Sequence, residues 1–113
     1  MTLDDERLDA VFAALADRTR REIVVRLSQG EATVTELAAP HAMSVQAVSQ
    51  HIGVLERCGL VSRGRQRQTR PCRLEPQALE TAVSWIEASR RSWAERMYRL
   101  DAHLARLQDG QQR

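Results

Sequence analysis

Nine positions late in the chain, Leu79, Val83, Ile86, Arg90, Trp93, Met97, Leu100, Leu104 and Leu107, follow one another in alternating steps of four and three, and no glycine or proline falls between Gln77 and Asp109. This is the heptad spacing that keeps one stripe of a helix turned toward a partner, with Arg90 as its single interruption. A helix of about 30 residues is roughly 45 Å long. Packing along its own subunit is one way to cover such a stripe, but a chain of 113 residues offers too little surface to do it. The first helix, expected over residues 4–16, carries Leu8, Phe12 and Leu15 on one face at i, i+4 and i+7. The pattern therefore predicts a homodimer held by the first helix and the last (76–108). Its interface would contain Leu8, Phe12, Leu15, Leu79, Val83, Ile86, Trp93, Met97, Leu100 and Leu104.

Between these two helices the chain is punctuated by caps and turns. Asp17 reads as the N-cap of a helix over about 18–28 that carries Ile23, Val24 and Leu27 and is closed by Gly30. Glu31 and Ala32 suit a short strand. Thr33 and Glu36 form a capping-box pair for a brief helix ending near Ala39 and Pro40. Ser44 can cap a fourth helix running to about Cys58 and stopped by Gly59. On a helical wheel Val45, Ile52 and Leu55 fall within roughly 60° of Val48, and Gln46, Gln50, Gly53 and Arg57 lie opposite. That outer face opens with Ser44, Gln46, Ala47, Ser49 and Gln50, short or amide side chains with no acid among them. Small residues allow close approach, and Ser and Gln can exchange hydrogen bonds with base edges in a DNA major groove, which admits a helix.

Charge is distributed to match. Residues 41–74 hold six arginines and one acid, a local charge of +5, while the rest of the chain carries −3. Five of those arginines follow the fourth helix in "LVSRGRQRQTRPCRL". This stretch reads as a β-hairpin with its tip at Gln66–Thr69, its second strand restricted by Pro71 to an edge or irregular role. A basic hairpin beside a groove-suited helix can straddle the sugar-phosphate backbone or reach the minor groove. The candidate DNA-binding residues are thus Ser44, Gln46, Ala47, Ser49, Gln50, Arg57, Arg63, Arg65, Arg67 and Arg70.

The elements add up to a mainly α fold with a small β-hairpin: a single winged helix-turn-helix domain over 1–113, with the helix-turn-helix at 33–58, the wing at 60–74 and long dimerisation helices at both ends. Four segments, "LDAVFAALADRTRREIVVRL", "TVTELA", "MSVQAVSQHIGVLERCGLV" and "CRLEP", resemble the ArsR/SmtB family of bacterial transcriptional repressors, above all its metal-independent, autoregulatory-type members. The resemblance implies a recognition helix at Ser44–Cys58, a partner helix at Val34–Ala39 and a cytoplasmic homodimer. Such a dimer would repress its own or a neighbouring operon from an inverted-repeat operator in double-stranded DNA. The sequence departs from the family pattern at Arg18, commonly proline, at Gln50, often lysine, and at the wing tip, which lacks the usual glycine.

Other function classes find little in the chain. "VTELAA" lacks the cysteines of the family's metal sensors, and Asp101 and His103 supply only half of a last-helix ligand set, so no metal and no cofactor are expected. His51 lies on the flank of the fourth helix, where a packing or hydrogen-bonding role suits it, and His41 falls in a turn. No nucleophile-and-base constellation or glycine-rich phosphate loop points to an enzyme. No apolar run approaches a membrane span, and the acidic start "MTLDDERLD" is unlike a secretory signal. Two alternatives stay open: a thiol-redox-responsive regulator using Cys58 and Cys72, and a winged helix serving as a protein-interaction module.

Overall fold

The computed structural model describes residues 3–64 and 70–111. Its elements run α1 (Leu3–Leu15), α2 (Arg18–Leu27), α3 (Val34–Ala38), α4 (Val45–Arg57), β1 (Val61–Arg63), β2 (Cys72–Leu74) and α5 (Pro76–Gln111). They group into two compact units, Met1–Ala82 and Val83–Arg113.

Helix starts follow the predicted caps. The Asp17 carboxylate accepts the Arg20 amide at 3.1 Å, and Ser44 Oγ accepts the Ala47 amide at 3.1 Å. At α3 the box is reciprocal: Glu36 N–H donates to Thr33 Oγ1 at 3.2 Å, and Thr33 N–H donates to Glu36 Oε1 at 3.1 Å. Helix α1 has no basic residue in its own last turn, so its terminal carbonyls find donors on α2. Arg20 Nε donates to Ala14 O at 2.6 Å and Arg21 Nη1 to Leu15 O at 2.8 Å. Two arginines thereby satisfy groups that a helix end leaves orphaned and complement its negative pole. Helix α4 ends in a Schellman closure. Gly59 takes φ +85°, its amide donates to Glu56 O at 3.1 Å, and Leu60 N–H reaches Leu55 O at 3.0 Å. The turn drives Leu60 into the core and sends the chain straight into β1.

The first unit has one core. Ile23 and Leu27 of α2, Leu37 of α3, and Val48, Ile52 and Leu55 of α4 are buried together with Leu60, Val61 and Cys72 of the hairpin and Ala82 of α5. On α1 the buried positions are Val11 and Ala14, while Leu8, Phe12 and Leu15 pack against the core only in part. Leu8, Phe12 and Leu15, expected at a dimer interface, thus lie on the flank beside the inward positions Val11 and Ala14. Val45, expected with the core stripe, is instead 48% exposed. It is the first residue of α4, one turn ahead of Val48.

The hairpin is antiparallel, with Val61 opposite Leu74, Ser62 opposite Arg73 and Arg63 opposite Cys72. Its second strand is not an edge at Cys72. Ala32 pairs with Cys72 from the other side, exchanging bonds of 2.7 and 3.2 Å. Pro71 is tolerated because it precedes the strand and contributes only its carbonyl, which accepts Gly64 N–H at 2.9 Å.

In the second unit, every residue from Val83 to Gly110 is exposed apart from half-buried Glu87. The heptad residues Val83, Ile86, Trp93, Met97, Leu100, Leu104 and Leu107 are among the exposed large apolar side chains. Among the described residues no helix is long and apolar enough to cross a membrane.

Removing the α3 cap should destabilise the chain measurably. Thr33→Ala is expected to cost about 0.5–2 kcal/mol in urea unfolding with an unchanged m-value; no shift of the midpoint would show that the box is dispensable.

Candidate nucleic-acid interface

Burial of Val48, Ile52 and Leu55 fixes which side of α4 faces outward. Ser44, Gln46, Gln50 and Arg57 are exposed, while Ala47 and Ser49 are half-buried. The first turn holds no acid, so the positive end of the helix dipole is unopposed there. Val45 and Met43 add exposed apolar surface beside the cap, which reading the face as wholly polar misses. The signal available was only position: a residue at the very start of a helix has no preceding turn to cover it. Further along, Gly53 makes room for Arg57, whose Nη1 lies 3.3 Å from where a Cβ on Gly53 would stand.

His51 is held on the inner flank of α4. Its Nδ1 lies 3.2 Å from Arg20 Nη1 and 4.0 Å from Asp17 Oδ1. A guanidinium can only donate, so in that contact Nδ1 is the acceptor and the ring proton sits on Nε2. Arg20 therefore joins the end of α1 to the middle of α4 with one side chain. His41, expected in a turn, has Nδ1 3.5 Å from Glu22.

The arginines of the basic segment divide into two groups. Arg57 and Arg70 are exposed and form no ion pair among the described residues. Arg73 is paired with Glu31 at 2.9 Å, an acid that lies outside the basic segment in sequence. Arg63 is only 19% exposed, with Nε 3.4 Å from Glu56 Oε1 and Nη2 donating to Ser49 O at 3.2 Å. Arg65, Arg67 and the expected tip at Gln66–Thr69 lie outside the described residues. At the hairpin's foot Ser62 Oγ donates to Glu75 Oε1 at 2.6 Å.

Both cysteines are free thiols. Cys72 is fully buried, and that burial pushes its pKa up, away from the thiolate that redox chemistry requires. Cys58 donates its S–H to Leu55 O at 3.3 Å. Asp101 and His103 are exposed on α5, and among the described residues no group of three or more His, Cys, Asp or Glu is arranged to hold a metal ion.

The sequence signature of the bacterial regulatory protein, arsR family, matches residues 17–63, which contain α2, α3, α4 and β1. The chain is 44% identical over 71 residues to the HTH-type transcriptional regulator Rv2034 of Mycobacterium tuberculosis, a match covering 63% of this chain and 66% of that protein. Its fold is similar to the crystal structure of the ArsR family transcriptional regulator RHA00566. There the TM-score is 0.76 and the identity 36%, over 83% of this chain and 97% of that one. It is also similar to the homodimeric winged helix-turn-helix DNA-binding domain of Mb0332 from Mycobacterium bovis, with TM-score 0.61 and 27% identity over 76% and 82% of the two chains.

The Asp17 cap of α2, which also approaches His51 of α4, should be visible in acid. Accepting the Arg20 amide holds the Asp17 carboxyl below its ordinary range, so its contribution is full above the ordinary carboxylate range and is lost as pH falls through the lower, folded-state value. The stability difference between wild type and Asp17→Asn should shrink as pH is lowered from about 7 to about 3 in urea titrations. A difference independent of pH would mean that the charge does not matter.

Proposed function

The chain belongs to the arsR family of DNA-binding transcriptional regulators, and we propose that it acts as a homodimeric repressor of its own or a neighbouring operon, seated on an inverted-repeat operator. The observation that carries this reading is the outer face of the first turns of α4, which holds no acid, begins at an unopposed helix N-terminus and lies on the same core as the hairpin. Ser44, Gln46, Ala47, Ser49 and Gln50 meet base edges and nearby phosphates, and Val45 supplies an apolar contact suited to a thymine methyl. Arg57, Arg65, Arg67 and Arg70 neutralise phosphate whatever the sequence. A protein-interaction module would call for an apolar or acidic outer face on α4, and the arsR family is one of DNA-binding regulators, not of enzymes.

The exposed stripe from Val83 to Leu107 supports assembly through α5, with Leu8, Phe12, Leu15 and Leu79 completing the interface from the partly buried flank of the first unit. The similar mycobacterial domain is itself homodimeric. A two-fold dimer presents two copies of α4, which sets the operator's symmetry and places half-site centres about one helical turn, or a multiple of it, apart. Seated on such a site near a promoter, the dimer excludes polymerase by occupancy.

Selection of duplexes from a random pool, followed by anisotropy titrations on selected and scrambled DNA, tests the reading. Gln50→Ala should cost about 1–3 kcal/mol on the selected site and flatten discrimination between bases while leaving the salt dependence alone. Arg67→Ala should weaken both duplexes alike and lower the slope of log affinity against log salt by about one for each phosphate no longer neutralised. Equal weakening on both duplexes for Gln50→Ala would move the reading surface elsewhere. Light scattering at micromolar concentration should report a dimer, and Leu100→Glu, which puts charge into the seam, should yield monomer; a monomeric wild type would remove the assembly from the proposal.

A further inference from the structure

We propose that Arg63 is a positioning residue that braces the wing against α4, not a phosphate contact; the proposal rests on the DNA-binding reading above. Arg63 is the last residue of β1, where the strand leaves for the tip. A charge needed by DNA would be held outward, yet this side chain turns inward and is 19% exposed. One edge of the guanidinium donates to the Ser49 carbonyl at 3.2 Å, and Nε stands 3.4 Å from Glu56 Oε1. Ser49 and Glu56 lie seven residues apart, two turns along α4, so a single side chain grips the helix at two levels. Nε itself is buried and has no hydrogen-bond partner among the described residues. Only the Glu56 carboxylate compensates it, and an uncompensated buried donor on a cation is costly.

The arrangement does two things. It fixes the angle between α4, the element that reads bases, and the root of the wing at β1, so that this junction needs no reordering when DNA is bound. It also pairs the charge of Glu56, the one acid between residues 41 and 74, with a cation 3.4 Å away. Moving Arg63 out to a phosphate would break both contacts and leave the Glu56 carboxylate without its partner. The forked, planar guanidinium matters because its donors point in several fixed directions, and a lysine's single ammonium cannot reach both partners.

The test uses the full chain with a duplex selected by the wild type from a random pool, and a scrambled duplex of equal length. Arg63→Lys, Arg63→Gln, Glu56→Gln and the double Arg63→Gln/Glu56→Gln are titrated across a salt series, with urea unfolding of each variant confirming the fold. If Arg63 is a brace, Arg63→Lys weakens selected DNA nearly as much as Arg63→Gln, by about tenfold. The discrimination between duplexes then falls, the salt slope is unchanged, and the double variant binds no worse than Arg63→Gln. In the free protein the Arg63 Nε–H resonance is protected from solvent exchange and loses that protection in Glu56→Gln, a readout that survives even if Arg63→Gln folds poorly. The proposal is overturned if Arg63→Lys binds like wild type while Arg63→Gln lowers the salt slope by about one per site. Failure of the underlying reading looks different: the wild type itself would bind neither duplex, and the brace would fall with it.

Discussion

The structure turns on one buried stripe. Val48, Ile52 and Leu55 are sealed from solvent by residues of α2, α3 and the hairpin, and burying each such side chain contributes about 1.5–3 kcal/mol. That stripe decides the rotation of α4 about its axis, and therefore which residues look outward. The polar face needs no further device to display it. Because Leu60 is swung into the same core by the Gly59 turn, the hairpin is fixed by the packing that fixes the helix, and the helix face and the root of the wing share a single foundation.

Around that foundation, arginine serves two opposed purposes. Arg20 and Arg21 are turned to the backbone, closing the end of α1 and, through His51, tying it to α4. Arg63 and Arg73 are matched to Glu56 and Glu31. Arg57 and Arg70 remain exposed. A count of basic residues in a window cannot separate these groups, since the acids that engage them come from a neighbouring turn or from before the window. What distinguishes them is reach and burial, which are properties of the fold.

This explains which parts were legible in advance. Caps are local, because a side chain and the amide it accepts are three residues apart, and Asp17, Thr33 with Glu36, and Ser44 each stand where their residue type demands. Periodicity found Val48, Ile52 and Leu55 because their face is cleanly apolar against a polar one. On α1 it could not single out the inward positions Val11 and Ala14, because Val11 to Leu15 offers no polar face to contrast with. Val45 matched the stripe in angle but not in height along the axis, a coordinate that a wheel discards. The pairing of Ala32 with Cys72 joins residues forty apart in sequence: the extended character of Glu31 and Ala32 was legible, but not the strand they meet, and Pro71 gave no sign that Cys72 beside it is covered on both sides.

The Ala32 bridge has a bearing on how such a protein can change over time. Cys72 is stitched to Arg63 on one side and to Ala32 on the other, and among the described residues the ladder closes with the bond from Gly64 to Pro71. The root of the wing is thus committed to the interior, and a substitution there is judged first by folding. The cost of changing Cys72 therefore falls on the core before it reaches any surface.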